Sequence, residues 1–165
     1  MLYQLARRKL IEEVTMTIYF YVEREKPYGC FSNFSAHGFV LDELYWATSE
    51  HYFQAQKFID TPYLEKVRQS KTPKDAANIG RNRTLPLRPD WEQVKDDVMH
   101  KAVLQKFTTH ADIREILLAT GDKVLVENSP IDYYWGCGKD GNGKNKLGQI
   151  LMAVRETLRS ETVEM

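Results

Sequence analysis

Residues 48–59, TSEHYFQAQKFI, decide how this chain is read. Thr48 and Ser49 are both helix-capping residue types. Glu50 follows in what would be the first turn, where the helix macrodipole favours an acid. The pattern predicts a helix opening at one of the two, with Ser49 a good cap. Glu50, Gln54 and Lys57 stand at i, i+4 and i+7, so they share one helical face, flanked by Tyr52, Phe53, Ala55 and Phe58. A carboxylate and an amine on an otherwise apolar helix can be partly buried. Burial raises the acid's pKa and lowers the amine's, towards acid/base and nucleophile roles. The same spacing also describes an exposed Glu–Gln–Lys ladder worth about 0.2–0.5 kcal/mol per pair. Spacing alone leaves both readings open.

Working outward, TIYFYV (17–22) is β-branched and aromatic and predicts a strand, and YGCFSNFS (28–35) is turn-rich. GFVLDELYW (38–46) suggests a hairpin turning at Asp42-Glu43. Downstream, Thr61-Pro62 opens a helix to about Ser70, and Thr72-Pro73 opens another that ends near Gly80. A longer helix is expected from about Pro89 to Phe107, then one over 111–119 stopped by Gly121. KVLVE (123–127) reads as a strand, and a helix over 147–158 closes the chain. Helices and strands do not alternate as βαβ units, which disfavours a doubly wound sheet. The expected fold is α+β: a compact, mostly helical single domain with a few short strands, spanning 16–160. Residues 1–15 read as an extension outside it, with Leu2, Leu5, Leu10 and Val14 spaced as one helical stripe.

At 165 residues the chain is long enough for one self-sufficient core. Basic and acidic residues number 23 each, so the net charge is zero, which argues against holding duplex nucleic acid by phosphate neutralisation alone. No apolar run approaches membrane-spanning length, and the N-terminus lacks a signal-peptide core. The chain is expected to be cytoplasmic and away from membranes. Cys30 and Cys137 form no metal-knuckle spacing and are expected as reduced thiols. The four histidines show no metal-ligand pattern, and no GxSxG elbow is present.

GCGKDGNGKNKLG (136–148) holds five of the nine glycines and leads into a helix, an arrangement that favours phosphate. It is not a dinucleotide fingerprint, because Gly141-Asn142-Gly143 would break the required helix and no further βαβ unit follows. Nor is it a P-loop, since Asn145 replaces the Mg²⁺-holding Ser/Thr. A plain surface connection is the other reading. Just before it, Asp132 stands among Tyr133, Tyr134 and Trp135, suited to a sugar hydroxyl and flat base or, equally, to a capped turn. Asn33 in FSNF could read a ligand amide or close an Asx turn. Arg81 and Arg83 could clamp a phosphate or complement a helix C-terminus.

Together, FSNF, WATSEHYFQAQKF, GR, LLATGD, LVE, DYYWG-C-G and the LGQILM-x-VR helix resemble the NADAR (YbiA-like) family over about residues 17–159. The resemblance implies a largely helical N-glycosidase fold without a metal or cofactor. Family members act on ribosylamino-pyrimidine phosphates of early riboflavin synthesis, or remove ADP-ribose from guanine bases. For this chain it implies a small-molecule phosphorylated ribosylamine as substrate. Alternatives are an ADP-ribosyl-guanine hydrolase on nucleic acid, or a non-catalytic ADP-ribose or NAD binding module. Glu50 and Lys57 match the acidic and lysine positions and are the expected catalytic pair. Asn33, Trp46, Gln54, Arg81, Asp132, Trp135, Gly136, Asn145 and Gly148 are the expected substrate-binding positions. Lys57 is expected to attack C1 as an amine with Glu50 as proton shuttle, or else Glu50 activates water while Lys57 neutralises charge. The glycine-rich loop with Arg81 is expected to hold phosphate, and the Tyr/Trp group to stack the base.

Overall fold

The computed structural model describes residues 3–5 and 16–163. Tyr3–Leu5 are helical; the rest of the expected 1–15 helix lies outside the described residues. The core begins with strand β1 (Thr17–Phe20), followed by a 3-10 turn at Tyr28–Phe31. Strands β2 (Phe39–Leu41) and β3 (Leu44–Trp46) form an antiparallel hairpin. Its turn residues, Asp42 and Glu43, have φ of 51° and 64°, the left-handed pair that a two-residue hairpin turn demands. Helix α1 (Ser49–Ala55) continues into a 3-10 turn at Gln56–Phe58. Helices α2 (Pro62–Arg68) and α3 (Pro73–Gly80) follow, each with Pro in its first turn and a threonine cap: Thr61 accepts from the Tyr63 N–H and Thr72 from the Asp75 N–H. Helices α4 (Trp91–Thr109) and α5 (Ala111–Ala119), strand β4 (Val124–Glu127) and helix α6 (Lys146–Val163) complete the chain.

The α+β class and the mostly helical content agree with the sequence reading. Several details differ. The cap of α1 is Thr48, whose Oγ1 accepts the His51 N–H, while Ser49 is the first helical residue. Lys57 sits on the 3-10 turn rather than on a continuous α-helix. β1 stops at Phe20, and α6 runs to Val163. β1 and β4 pair in parallel, Thr17 opposite Val124 and Phe20 opposite Glu127. A crossover that contains most of the fold separates them, so local alternation carried no sign of the pairing. Both cysteines are free and buried. No described helix is long and apolar enough to cross a membrane.

Two apolar clusters fill the interior. One joins β1, β4, α4, α5 and α6 through Phe20, Phe107, Leu117, Leu125, Leu147 and Leu151. The other joins the hairpin to α1, α2 and α3 through Phe39, Trp46, Tyr52, Phe58 and Val67. Helix α1 divides them: Phe53 belongs to the first cluster, Tyr52 and Ala55 to the second, and all seven of its residues are buried. A helix covered on every side is central to a fold. Its one polar stripe, Glu50–Gln54, continued by Lys57, must then face something other than bulk water.

Candidate active site

That stripe faces a cleft of about 740 Å³, a volume suited to a nucleotide-sized ligand. The start of α1 is held there by Asn33. The Asn33 carbonyl accepts the Glu50 N–H at 3.2 Å, and its Oδ1 accepts the Ser49 hydroxyl at 2.9 Å. The loop carrying Asn33 is anchored from behind by Lys106 on α4, which is 1% exposed and donates to the Ser32 carbonyl at 2.9 Å. No carboxylate pairs with this ammonium among the described residues, and burial lowers its pKa to about 7. Asn33 thus places Glu50 through its backbone carbonyl, while its side-chain Oδ1 holds the neighbouring Ser49 rather than closing an Asx turn.

Glu50 is 6% exposed, and its Oε1 accepts from Gln54 Nε2 at 2.7 Å. Burial raises its pKa. The Gln54 bond and the positive charges of Arg81 and Lys57 pull the other way without cancelling the rise. Lys57 is 7% exposed and donates to the Gly80 carbonyl at 3.1 Å. Its Nζ lies 5.7 Å from the centre of the Phe53 ring and 5.6 Å from that of Trp91. These apolar walls strip water from the ammonium and bring its pKa down to about 8, although Glu50 opposes the shift. No ion pair joins Glu50 to Lys57 among the described residues: each is tethered separately, and both line the cleft. The exposed-ladder reading is therefore excluded by burial.

Asp132, Trp135, Arg81, Gln54 and Asn33 line the same cleft. Asp132 accepts the N–H groups of Tyr134 and Trp135 at 2.9 and 2.7 Å, so the capped turn and the cleft wall are one structure. Trp135 meets Phe53 edge-on at 5.2 Å, extending an aromatic wall from Trp91. Arg81 caps α3, and neither it nor Arg83 makes a side-chain hydrogen bond or ion pair among the described residues. Lys95, also on the wall, sits 4.0 Å from the Tyr134 ring centre.

Four expected binding residues do not line the cleft. Trp46 is 1% exposed within the second apolar cluster, and its indole N–H donates to the Leu41 carbonyl at 2.9 Å. Asn145, at φ 51°, bridges β4: its Oδ1 accepts the Glu127 N–H and its Nδ2 donates to the Leu125 carbonyl, both at 2.9 Å. A Cβ on Gly148 would fall 2.1 Å from the Leu125 carbonyl, and one on Gly136 would fall 2.9 Å from the Ser129 Cβ. Close approach demands glycine at both positions. The glycine-rich loop lies outside the cleft lining, and five of its N–H groups are turned inward. Gly143, Lys144, Asn145, Lys146 and Leu147 give their N–H groups to the carbonyls of Cys137, Tyr133, Gly136, Tyr134 and Trp135. The N-terminus of α6 is spent in the same way. Asn145→Ala is expected to cost about 1–3 kcal/mol by stranding a β4 N–H and carbonyl. Chemical denaturation checks this, and an unchanged midpoint contradicts it.

The sequence reading missed Glu127, Phe53 and Trp91 as cleft residues. Phe53, four residues before Lys57, was visible as a flank of the polar stripe. Trp91 reaches the site only through the tertiary packing of α4 on α1. Glu127 ends an otherwise apolar strand, an unusual place for an acid. Among the described residues, no group of three or more His, Cys, Asp or Glu side chains is arranged to hold a metal ion.

The profile of the NADAR domain matches residues 19–159. The N-glycosidase Npun_R5314 of Nostoc punctiforme is 55% identical over 148 residues, covering 88% of this chain and 94% of that one. N-glycosidase YbiA of Escherichia coli is 50% identical over 145 residues, covering 88% and 91%. Its NMR structure matches this fold with a TM-score of 0.85 at 49% identity, covering 91% of this chain and 89% of that one. The chloroplastic riboflavin biosynthesis protein PYRR of maize is 42% identical over 146 residues, covering 79% of this chain and 23% of that one. A match over nearly the whole folded region, in sequence and in backbone, places this chain in the NADAR domain family.

Proposed function

We propose that this protein is an N-glycosidase that hydrolyses the C1–N bond of a phosphorylated ribosylamine, a ribosylamino-pyrimidine phosphate of early riboflavin synthesis. One observation carries the reading: a buried carboxyl and a desolvated lysine face the same cleft from one helical stripe. The relatives support it by name, two as N-glycosidases and one in riboflavin biosynthesis.

The chemical difficulty is a poor amine leaving group. A ribosylamine opens to an imine, and an amine nucleophile can exchange onto C1. With its pKa near 8, roughly a tenth of Lys57 is unprotonated at pH 7. The neutral Nζ adds to C1, the base amine departs, and Lys57 holds the sugar as a Schiff base. Water then adds to C1 and releases ribose phosphate and the free lysine. Glu50 relays the proton that Lys57 loses on addition and the one that water loses on hydrolysis. The aromatic wall of Phe53, Trp91 and Trp135 receives the pyrimidine. Arg81 and Arg83, with no carboxylate partner among the described residues, take the phosphate.

The test is a thermal-shift panel of ribosylamino-pyrimidine phosphate, ribose 5-phosphate, ADP-ribose and NAD, followed by chromatography for released base. A shift and free pyrimidine with the first compound are expected. A shift with ADP-ribose or NAD and no released base would instead identify a binding module. Arg81→Ala should raise KM at least about tenfold for the phosphorylated substrate, the order of one lost charge-assisted hydrogen bond, and leave the dephosphorylated analogue unaffected. Equal effects on both would remove the phosphate role.

A further inference from the structure

A further carboxyl lines this cleft, and the mechanism above gives it no work. Glu127 ends β4 with its backbone fully committed: the N–H donates to Asn145, and the carbonyl accepts the Cys137 N–H at 2.9 Å. Its position is therefore rigid. Its side chain has no hydrogen-bond partner among the described residues, and Oε2 is shut off from solvent. A buried, unpartnered carboxyl oxygen costs free energy unless a ligand satisfies it. The other acids lining the cleft are occupied: Glu50 by Gln54, Asp132 by two backbone N–H groups, Glu23 by Arg24 and Glu92 by Lys95. We propose that Glu127 is a catalytic residue, the general acid that protonates the departing base nitrogen. This rests on the N-glycosidase reading above.

The division of labour follows from surroundings. Glu50 has a donor and two cations favouring its charged form. Glu127 has none. Burial and then the nearby carboxylates of Asp132 and Glu50 hold its pKa up at about 8, so it carries a proton at neutral pH. Opposite it on β1 stands Phe20, and the first ammonium of α6, Lys146, is tied to Asp96 at 3.3 Å. The carboxyl with no donor or cation beside it among the described residues is the better-placed proton donor, and the one beside Lys57 and Arg81 the better-placed acceptor. In the step itself, the Glu127 O–H proton moves to the pyrimidine amine nitrogen. The C1–N bond breaks with its electron pair going to that nitrogen, and the Lys57 Nζ lone pair closes the C1=N bond. Of the two protons of the hydrolytic water, one returns to Glu127 as water adds to C1, and the other passes through Glu50 to the Lys57 nitrogen as the C1–N bond breaks.

Two limbs of opposite sign follow for kcat/KM against pH. Lys57 must be neutral, so activity rises as pH climbs towards about 8; Glu127 must be protonated, so activity falls as pH passes about 8. The wild-type profile is expected to be a bell. Glu127→Gln should lower kcat about 100-fold with KM little changed and should lose the falling limb. A thermal melt confirms that the variant is folded. Wild-type-like kcat in Glu127→Gln, a loss confined to KM, or a retained falling limb would each overturn the assignment. Absence of base release by the wild-type protein at every pH would instead sink the parent reading.

Discussion

Glu50→Gln is expected to lower kcat by about 10²–10⁴-fold, the range for a positioned proton-transfer group. The substitution is close to isosteric. A glutamine oxygen at this position can still accept from Gln54 Nε2, and the backbone bond to Asn33 is untouched. What is lost is the capacity to take and return a proton. The fold should not suffer, because a buried carboxyl is replaced by a neutral amide at a place where burial already disfavours its charge. The melting temperature should hold or rise while turnover collapses. Near-normal turnover, measured as chromatographic release of base, would move the proton relay to another residue.

Lys57→Met should be more severe, about 10³-fold or more, because it removes the atom that bonds to C1. Methionine fits the apolar slot between Phe53 and Trp91, and the only bond forfeited is the one to the Gly80 carbonyl. Lys57→Arg separates the two roles open to this residue. Arginine keeps the positive charge but is never neutral in this pH range, so it cannot act as a nucleophile. If Lys57 attacks C1, arginine fails as methionine does. If Lys57 only neutralises charge, arginine restores a large part of kcat. Recovery above a tenth of wild-type activity would favour water activated by Glu50.

Much of the fold was legible because its signals are local. Thr61-Pro62 and Thr72-Pro73 announce helix starts through side-chain caps, and Asp42-Glu43 tolerates the left-handed turn that pairs β2 with β3. The stripe of Glu50, Gln54 and Lys57 was legible as geometry but not as burial. Only the packing of two apolar clusters on either side of α1 turns a possible surface ladder into a cleft wall. The glycine-rich loop misled for a related reason. Composition reports how many N–H groups a loop has, whereas the fold decides where they point, and here they close the loop on itself. Asn145 and Gly148 are fixed by contacts with β4, some twenty residues away in the chain. Trp46 carries both an aromatic face and a donor, the features of a ligand platform, yet the hairpin turns both inward. Glu127 was invisible as a site residue because its distinguishing property, a buried carboxyl oxygen with no partner among the described residues, exists only in three dimensions.

The central claim is that a desolvated lysine in this cleft bonds to the sugar. Its most direct measurement is borohydride trapping during turnover of ribosylamino-pyrimidine phosphate, followed by peptide mass spectrometry. A reduced ribose-phosphate adduct on the peptide bearing Lys57, absent in Lys57→Met, is the predicted result. Steady release of base with no adduct, or with the adduct on another lysine such as Lys95, would contradict it.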